Sequence, residues 1–325
     1  MRRMRTVVLS FGLIACGDSS ATPPEAPADV DASSATPNVD ASTPPPEVDA
    51  SPPAPEVDAS SSGTPPHAAA IPQPTGACPE LTDGDVTFAP AGVTPRRVKL
   101  SLPPATAPGP LILYWHATGS SPLEAGYALG ATERSFVANG GIVAAPYSDP
   151  TAGTFEWFIV NQSLAEDDFL LADEIVACLA EAGRLDPAHV HSMGMSAGAL
   201  QTTAMGFFRS SYIASVATFS GGMPDGFPDP ASQDPDNLFA ALIFDGGPDD
   251  RVFGVDFQAA SERYRETLAS AGHFAAICSH GMGHSIPLDA APSVVAFFAA
   301  NGFGAWPSPY ASTGLPDSFP SYCAR

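Results

Sequence analysis

The sequence predicts an α/β domain in which helices cover both faces of a mostly parallel sheet. Two observations carry this prediction. Short apolar runs alternate with stretches of helical periodicity over residues 77–325, which is the pattern of repeated strand and helix units. One apolar run also ends in Gly-Met-Ser-Ala-Gly, centred on Ser196, and residues that favour a helix follow at once. A serine at such a strand-to-helix turn lies exposed at the carboxyl edge of the sheet.

The strands and helices of this domain are read from composition and periodicity. Apolar or alternating runs predict strands at residues 96–102, 111–115, 142–145, from Val190 to the Ser196 turn, and at 213–219, 240–244 and 273–278. Helical periodicity predicts helices at residues 163–183, 197–208, 256–271 and 292–300. Ser163 and Glu166 have the spacing of a capping box, and Gly183 ends that helix. Residues 301–325 predict an irregular tail that wraps on the domain.

Residues 1–16 have the composition of an export signal. Three arginines precede an apolar run that is too short to span a bilayer, and the run ends in Leu-Ile-Ala-Cys at Cys16. This segment resembles bacterial lipoprotein signals, which implies cleavage before Cys16 and a lipid on its thiol. The resemblance implies an exported, lipid-anchored protein at the cell envelope, in the outer membrane or at the cell surface. A cleaved signal without lipid is the alternative.

Residues 17–76 predict a disordered low-complexity tether between the anchor and the domain. They consist largely of Pro, Ala, Ser, Thr and acidic residues, with no Lys or Arg, so they bury too little surface to offset the loss of backbone entropy. Val-Asp-Ala-Ser recurs every nine residues, with aspartates at positions 31, 40, 49 and 58. One valine per repeat gives no apolar face that would stack into a solenoid. The repeat therefore indicates a spacer.

The length and charge of residues 77–325 limit the class of function. The length fits one large α/β domain with a sizeable core. This part of the chain carries 26 acidic and 10 basic side chains, and the whole chain has a net charge of −22. Because phosphate binding depends on Lys and Arg, such a surface argues against nucleic acids and polyanionic substrates.

Four cysteines remain beyond Cys16, at positions 78, 178, 278 and 323. In an exported chain they predict two disulfides, whose pairing the sequence leaves open among three connectivities. Cys78 and Cys323 lie at the two ends of the domain, so covalent anchoring of those ends is a reasonable role. No pair has the short spacing that is typical of a zinc site, and we expect neither a metal nor a cofactor.

Ser196 is the predicted nucleophile, and its catalytic acid is expected after a later strand. The strand 240–244 runs into a turn-rich loop that contains Asp245, Asp249 and Asp250. Loops at the carboxyl ends of strands hold the sites of open α/β sheets. We predict that Asp249 is the acid. Asp245 and Asp250 are nearby alternatives, and the competing reading is that all three are ordinary loop acids.

A histidine completes this order of serine, acid and base. His284 lies between small residues after the last predicted strand and is the predicted general base for Ser196. In that role it accepts the hydroxyl proton and later protonates the leaving group, while Asp249 fixes its tautomer. His280, in the same loop, is the competing candidate.

Two backbone amides are predicted to form the oxyanion hole. Ala197 follows the nucleophile at the start of a helix, where the helix dipole favours an anion. The loop after strand 111–115 is expected to supply the second donor, which we assign to the amide of Thr118. In the same loop His116 is read as a brace, and His191 is read as a buried core residue.

Five segments occur together in the order of one enzyme group. They are His-Ala-Thr-Gly at 116–119, Asp-Asp-Phe at 167–169, Leu-Asp-Pro-Ala-His-Val at 185–190 before the serine motif, Asp-Gly-x-x-Asp-x-x-Val at 245–252, and Gly-Met-Gly-His-Ser-Ile-Pro at 281–287. Over roughly residues 98–300 the chain resembles the poly(3-hydroxybutyrate) depolymerase, feruloyl esterase and acetylxylan esterase group. The resemblance implies the α/β-hydrolase fold and an ester substrate that is a polyester or is linked to a polysaccharide. The group usually has Gly where this chain has Ala117, which bears on substrate class.

Two loops are candidates for substrate binding. Trp157 lies among aromatic residues after the strand 142–145, and Phe227 lies in a loop rich in Pro and Gly after the strand 213–219. Either ring is suited to stack on an aromatic or sugar ring, with burial in the core as the alternative.

Taken together, these features predict an exported serine esterase. A serine peptidase on the same fold and a surface binding module without turnover are the alternatives. The peptidase reading is weakened because such enzymes usually carry an additional propeller domain. The binding module is disfavoured because the serine, acid and histidine are all present.

Overall fold

The computed structural model describes residues 67–104, 106–161, 163, 165–228 and 231–324. The predicted signal with Cys16 and residues 17–66 of the predicted tether lie outside these ranges. Within them the strands are β1 Gly84–Phe88, β2 Arg96–Ser101, β3 Gly109–Trp115, β4 Ile142–Pro146, β5 Leu185–Met195, β6 Ser215–Phe219, β7 Ala240–Asp245, β8 Arg251–Val252, β9 Val255–Asp256, β10 Ala275–Ser279 and β11 Cys323–Ala324. The helices are α1 Glu124–Ala138, α2 Asp167–Glu181, α3 Ala197–Phe208, α4 Phe257–Ser270, α5 Ala291–Ala300 and α6 Tyr310–Thr313.

Nine of the described strands form one sheet in the order β1-β2-β4-β3-β5-β6-β7-β10-β11. The pairs from β4 to β10 are parallel, whereas β1, β2 and β11 pair with their neighbours in antiparallel orientation. Strands β8 and β9 form a separate two-stranded hairpin. The predicted class, a mostly parallel sheet in an α/β domain, is confirmed.

Alternate residues of the central strands supply two apolar cores, one on each face of the sheet. In β3, Leu111, Leu113 and Trp115 face one core, and Ile112 and Tyr114 face the other. This alternation follows from the two-residue period of a strand. Helices α2, α3 and α4 cover the first core, while α1 and α5 cover the second. Both faces of the central strands are therefore buried, as their continuous apolar composition requires.

Most predicted elements exist, but helix α2 begins later than predicted. Its first residue is Asp167 and not Ser163, and no side chain caps its start. The hydroxyl of Ser163 instead accepts a hydrogen bond from the amide of Ala165 at 3.1 Å. The side chain of Asp168, in the first turn, pairs with buried Arg96 and accepts a hydrogen bond from the amide of Phe158. This buried ion pair holds the start of the helix, so the predicted capping box is wrong.

Several elements have no local signal in the sequence. Helix α1 is kinked at Gly130, whose backbone has φ of 52°, and this interrupts its apolar periodicity. The tail is more ordered than predicted, because it contains α6 and ends in β11, which pairs with β10. A two-residue strand is defined by its partner and not by its own composition, so sequence periodicity cannot reveal it.

The domain begins earlier than the predicted boundary at residue 77. The amide and hydroxyl of Thr75 both donate to Glu174, and the amide of Gly76 donates to the same buried carboxylate. The amide of Ala70 donates to the carbonyl of Ser211. Residues 67–76 are therefore hydrogen-bonded to the domain and form its first segment.

Two disulfides are present, as the cysteine count predicted. Cys78 is bonded to Cys178 in α2, and Cys323 in β11 is bonded to Cys278 in β10. Each bond fastens one end of the described domain to its core. Among the described residues, none of the helices combines the length and apolar character needed to cross a bilayer.

A buried histidine on β5 makes stability depend on pH. His191 stacks on Phe298 with ring centroids 4.5 Å apart, and its Nδ1 lies 2.9 Å from the hydroxyl of Ser215. Its Nε2 is buried without a hydrogen-bond partner among the described residues. Burial, with a smaller contribution from nearby His189, holds the pKa of His191 well below the usual value. Protonation therefore opposes folding.

We predict that His191→Gln weakens the loss of stability in acid. In the unfolded chain a histidine has a pKa of about 6.5. Below that pH the unfolded state therefore binds a proton that the folded state does not bind. The free energy of unfolding then falls with decreasing pH, by up to about 1.4 kcal/mol per pH unit for this one group. Urea unfolding from about pH 7 to about pH 5 should show a smaller slope in the variant, with a difference that approaches this limit only at the acidic end of the range. Equal slopes would contradict the assignment.

Candidate active site

The turn between β5 and α3 places Ser196 at the carboxyl edge of the sheet. Its backbone has φ of 55°, a conformation that is uncommon for a residue with a side chain and that occurs at tight turns. A Cβ on Gly198 would lie 1.9 Å from the carbonyl oxygen of Trp115, and one on Gly194 would lie 2.5 Å from the same atom. The two glycines therefore allow the turn to pack against the end of β3, and Ser196 remains partly exposed.

Ser196 lies at the end of a chain of hydrogen bonds. Its Oγ is 2.9 Å from Nε2 of His284, and Nδ1 of His284 is 2.7 Å from Oδ1 of Asp250. With Nδ1–H donating to the carboxylate, Nε2 is free to accept the serine proton. The three residues come from the loops after β5, β7 and β10, so three parallel strands bring them to one edge.

The aspartate that is hydrogen-bonded to His284 is Asp250 and not Asp249, so the prediction of Asp249 does not fit the structure. The loop after β7 turns so that the amide of Asp250 donates to the carbonyl of Gly247 at 3.0 Å. This turn directs Asp250 into the protein, where it is fully buried, and leaves Asp249 exposed. Two adjacent residues of a tight turn point in different directions, and only one of them reaches His284.

Three donors hold the Asp250 carboxylate. His284 donates to Oδ1, while the amide of Gly246 and the hydroxyl of Ser220 each donate to Oδ2 at 2.8 Å. Burial alone would raise the pKa of Asp250, but these hydrogen bonds outweigh it and hold the pKa below its usual value. The carboxylate is thus charged and fixed in orientation.

Sequence reasoning missed Ser220. This residue directly follows β6 and has φ of 50°, a second strained position at the carboxyl edge of the sheet. Its place between a predicted strand and two glycines was a usable signal, because polar residues at that edge face the site of an open sheet. Its hydroxyl orients the acid and does not contact Ser196.

The alternative candidates Asp245 and His280 form hydrogen bonds that stabilise their own loops. Asp245 accepts hydrogen bonds from the amide of Gly247 and the hydroxyl of Ser279, and burial raises its pKa. The Nδ1 of His280 accepts a bond from the amide of Met282 within its own loop. Neither side chain bonds with Ser196, so the alternatives based on Asp245 and His280 do not fit this geometry.

The loop after β3 carries the amide of Thr118, which was predicted to be an oxyanion donor. The amide of Ala117 donates to Glu124, that of Gly119 to Glu156, and that of Ser120 to the carbonyl of Ala117. Among the described residues, the amide of Thr118 has no acceptor. Thr118 and Ala197 line the same cavity as Ser196. Their assignment to an oxyanion hole stays a prediction that this arrangement favours.

The cavity beside Ser196 has a volume of about 220 Å³ and a mostly apolar lining. Its wall includes Leu200 of α3, Phe257 of α4 and Phe227, which was predicted to bind substrate. The charged residue among the described lining is Asp225, whose side chain is 98% exposed and pairs with Arg263. A neutral, apolar group is therefore the best fit to the cavity.

Trp157 does not line the cavity, so its predicted contact with substrate is wrong. The ring is completely buried, packs edge-on against Trp115 and donates from Nε1 to the carbonyl of His116 at 2.8 Å. Phe155, two residues earlier, is the aromatic residue of this segment that lines the cavity. His116 is also buried, and its Nδ1 bonds with the carbonyl of Ala117, so it acts as a brace.

The described residues contain no group of three or more His, Cys, Asp or Glu side chains arranged to hold a metal ion. Cys78, Cys178, Cys278 and Cys323 are all committed to disulfides.

Comparison with solved structures identifies the fold. A protein named pOPH, in its native form, superposes with a TM-score of 0.63 at 16% identity over 78% of this chain and 96% of that chain. Native sOPH gives 0.58 at 17% identity over 76% and 96%, and a thermostable esterase gives 0.50 at 16% identity over 67% and 62%. Neither a protein-family model nor a curated protein sequence matches the chain. The domain has the α/β-hydrolase fold, as predicted.

Proposed function

We propose that the chain is a serine hydrolase that cleaves carboxylic esters through an acyl-enzyme intermediate. The observation that carries the proposal is the hydrogen-bonded chain from Ser196 through His284 to Asp250, at the mouth of an apolar cavity. A fold alone does not define a reaction, but a nucleophile, a base and an acid in this geometry support acyl transfer. The fold shared with a thermostable esterase is compatible with this chemistry.

The proposed reaction has two steps. As Ser196 Oγ attacks the carbonyl carbon of the ester, His284 Nε2 takes the hydroxyl proton, and the buried Asp250 stabilises the imidazolium. The imidazolium then protonates the leaving alcohol, and the acyl group stays on Ser196. His284 next takes a proton from water, whose oxygen attacks the acyl carbon. The carboxylic acid product is released when His284 returns this proton to Ser196 Oγ.

The negative charge of each tetrahedral intermediate falls on the former carbonyl oxygen. The amides of Thr118 and Ala197 are the proposed donors to it, and loss of one such donor typically lowers turnover by about 10²- to 10³-fold. Glu124 and Glu156 bond the flanking amides of Ala117 and Gly119, which fixes the loop around Thr118. These bonds support a Thr118 amide whose position is set before substrate binds.

We further propose that this hydrolase is exported and held at the cell envelope by a lipid on Cys16. The Leu-Ile-Ala-Cys ending of the apolar run supports lipidation, and the length of residues 17–66 supports display away from the membrane. Two disulfides fit an oxidising compartment. The sequence resemblance supports a polyester or an ester linked to a polysaccharide as the substrate.

A fluorophosphonate probe tests the proposal directly. We expect the probe to modify the folded protein once, with the added mass on the peptide that contains Ser196. Ser196→Ala should remain unlabelled, whereas Ser318→Ala, which removes an exposed serine of the tail, should be labelled like the wild type. Absence of labelling in the folded wild type would overturn the proposal and favour a binding module.

A substrate panel then identifies the bond that is cleaved. Hydrolysis of p-nitrophenyl esters, polyhydroxybutyrate film or methyl ferulate would support an esterase. Labelling combined with cleavage of peptides and not of esters would instead identify a serine peptidase.

A further inference from the structure

The hairpin β8–β9 places a phenylalanine in an unfavourable and exposed position. Val252 pairs with Val255, so the turn consists of Phe253 and Gly254, which have φ of 52° and 81°. Positive φ at both positions is the geometry of a type I′ turn, which favours Asn, Asp or Gly. Phe253 is nevertheless there, and it is 74% exposed to solvent. Neither local conformation nor burial explains this residue.

Phe253 faces the cavity beside Ser196. Its ring lies 5.5 Å from that of Phe155, in an edge-on arrangement, and both residues belong to the cavity lining. Aromatic pairs at this distance and angle attract each other, and their faces accept apolar groups. The two rings come from separate loops, after β7 and after β4, and meet over the cavity.

The loop of Phe253 is tied to the catalytic acid. The hairpin begins directly after Asp250, and its base is closed by an ion pair between Arg251 and Asp256. The amide of Phe257, directly after the hairpin, donates to the carbonyl of Asp250 at 2.9 Å. The position of Phe253 is therefore fixed relative to Asp250.

The loop of Phe155 is tied to the proposed oxyanion loop. Glu156 has φ of 67°, and its carboxylate accepts a hydrogen bond from the amide of Gly119 at 3.0 Å. Trp157 bonds the carbonyl of His116 from the buried side. These two anchors hold the two residues that directly follow Phe155, and Phe155 lines the cavity.

The lining also indicates which part of an ester enters the cavity. Thr118, Ser196 and Ala197, which would surround the acyl carbon, belong to the lining, whereas His284 does not. Because the histidine must protonate the leaving alcohol, the alcohol lies on the side of His284 and outside the cavity. The acyl group then occupies the cavity.

We propose that Phe253 and Phe155 form an aromatic clamp that selects esters with a large, uncharged, apolar acyl group over acetate esters. The proposal rests on the proposed ester hydrolysis, and it names Phe253 as a residue that determines substrate specificity. Ser196 and the two rings line the same cavity. In this proposal a medium-length alkyl chain or an aryl ring on Ser196 contacts the rings, and an acetyl group is too short to do so. In this proposal, contact with the acyl group is the role of an exposed aromatic residue at a turn that disfavours it.

The test compares p-nitrophenyl octanoate with p-nitrophenyl acetate, both below the micellar concentration. Phe253→Asn suits the backbone of the turn, so the hairpin should remain folded. We expect kcat/KM for the octanoate to fall about tenfold, mainly through KM, while the value for the acetate stays within about twofold, since loss of one apolar contact typically changes discrimination by at least that factor. The conservative variant Phe253→Tyr, which keeps an aromatic ring at this position, should keep the wild-type preference for the octanoate. Tyr127→Asn, at an exposed aromatic residue outside the cavity lining, should not alter it.

Two different failures are distinguishable. If Phe253→Asn keeps the wild-type ratio between the two esters, the clamp is refuted while ester hydrolysis stands. If the wild type hydrolyses neither ester and does not react with the fluorophosphonate, the proposed function itself fails.

Discussion

Replacing Asp250 with asparagine is expected to lower kcat for p-nitrophenyl acetate by about 10³- to 10⁴-fold. The asparagine side chain is uncharged, so it cannot stabilise the imidazolium that forms when His284 takes the proton of Ser196. Its amide also favours the tautomer of His284 that carries the proton on Nε2, and this tautomer cannot accept from the serine hydroxyl. The measurement is steady-state hydrolysis near neutral pH.

Asp249→Asn is the matched control. It makes the same chemical change one residue earlier, on an exposed side chain that bonds with neither His284 nor Ser196. We expect its kcat to stay within about twofold of the wild type, because solvent and salt screen the charge of an exposed carboxylate and weaken its effect on distant groups. A large loss in Asp249→Asn with near-normal turnover in Asp250→Asn would refute the hydrogen-bonded chain. Thermal unfolding of both variants separates this outcome from loss of fold.

The choice between these two aspartates shows where sequence reasoning reaches its limit. The order of serine, acid and histidine along the chain, and the loop that carries each, follow from strands that can be recognised by their apolar composition. Which side chain of the loop turns inward depends on the turn at Gly247 and on the donors of Gly246 and Ser220. Those contacts come from three-dimensional packing, and the spacing of the aspartates within their own loop does not reveal them.

The aromatic segment after β4 gives the same lesson. The sequence correctly indicated that this loop approaches the site, but it favoured Trp157 over Phe155. The orientation of both rings is decided at Glu156, a residue that adopts positive φ although it is not glycine. Such strain is held by the hydrogen bond to Gly119 and cannot be predicted from propensity.

Elements were predictable where one local signal was sufficient. Helix α3 matches its predicted bounds because the serine turn defines its start. The other core strands lie within two residues of their predicted bounds because they are continuously apolar, whereas β5 begins at Leu185, five residues before the predicted Val190. Strand β11, the kinked α1 and residues 67–76 depend on partners elsewhere in the chain. For the same reason the number of disulfides could be predicted from the cysteine count, while the pairing stayed open.

Removing the disulfide between Cys278 and Cys323 is expected to lower the free energy of unfolding by about 4 kcal/mol, according to the chain-entropy relation for a loop of this length. The bond closes a 45-residue segment and fastens β11 to β10. For a domain of this size, that loss corresponds to a decrease in Tm of roughly 8–16 °C. The double variant Cys278→Ser, Cys323→Ser, studied by calorimetry and urea unfolding, checks the value. The other bond closes 100 residues, so Cys78→Ser, Cys178→Ser should lose slightly more, about 4.7 kcal/mol.

Turnover in the variant without the Cys278–Cys323 bond should survive at a temperature where the domain stays folded. The loop that carries His284 is also held to the loop after β7, because the hydroxyl of Ser279 donates to Asp245 and the amide of Gly283 donates to Gly246. These bonds do not involve β11, so kcat at about 25 °C should remain within about threefold, as for a change distant from the reacting groups. A folded variant that loses turnover would instead show that the tail itself positions His284.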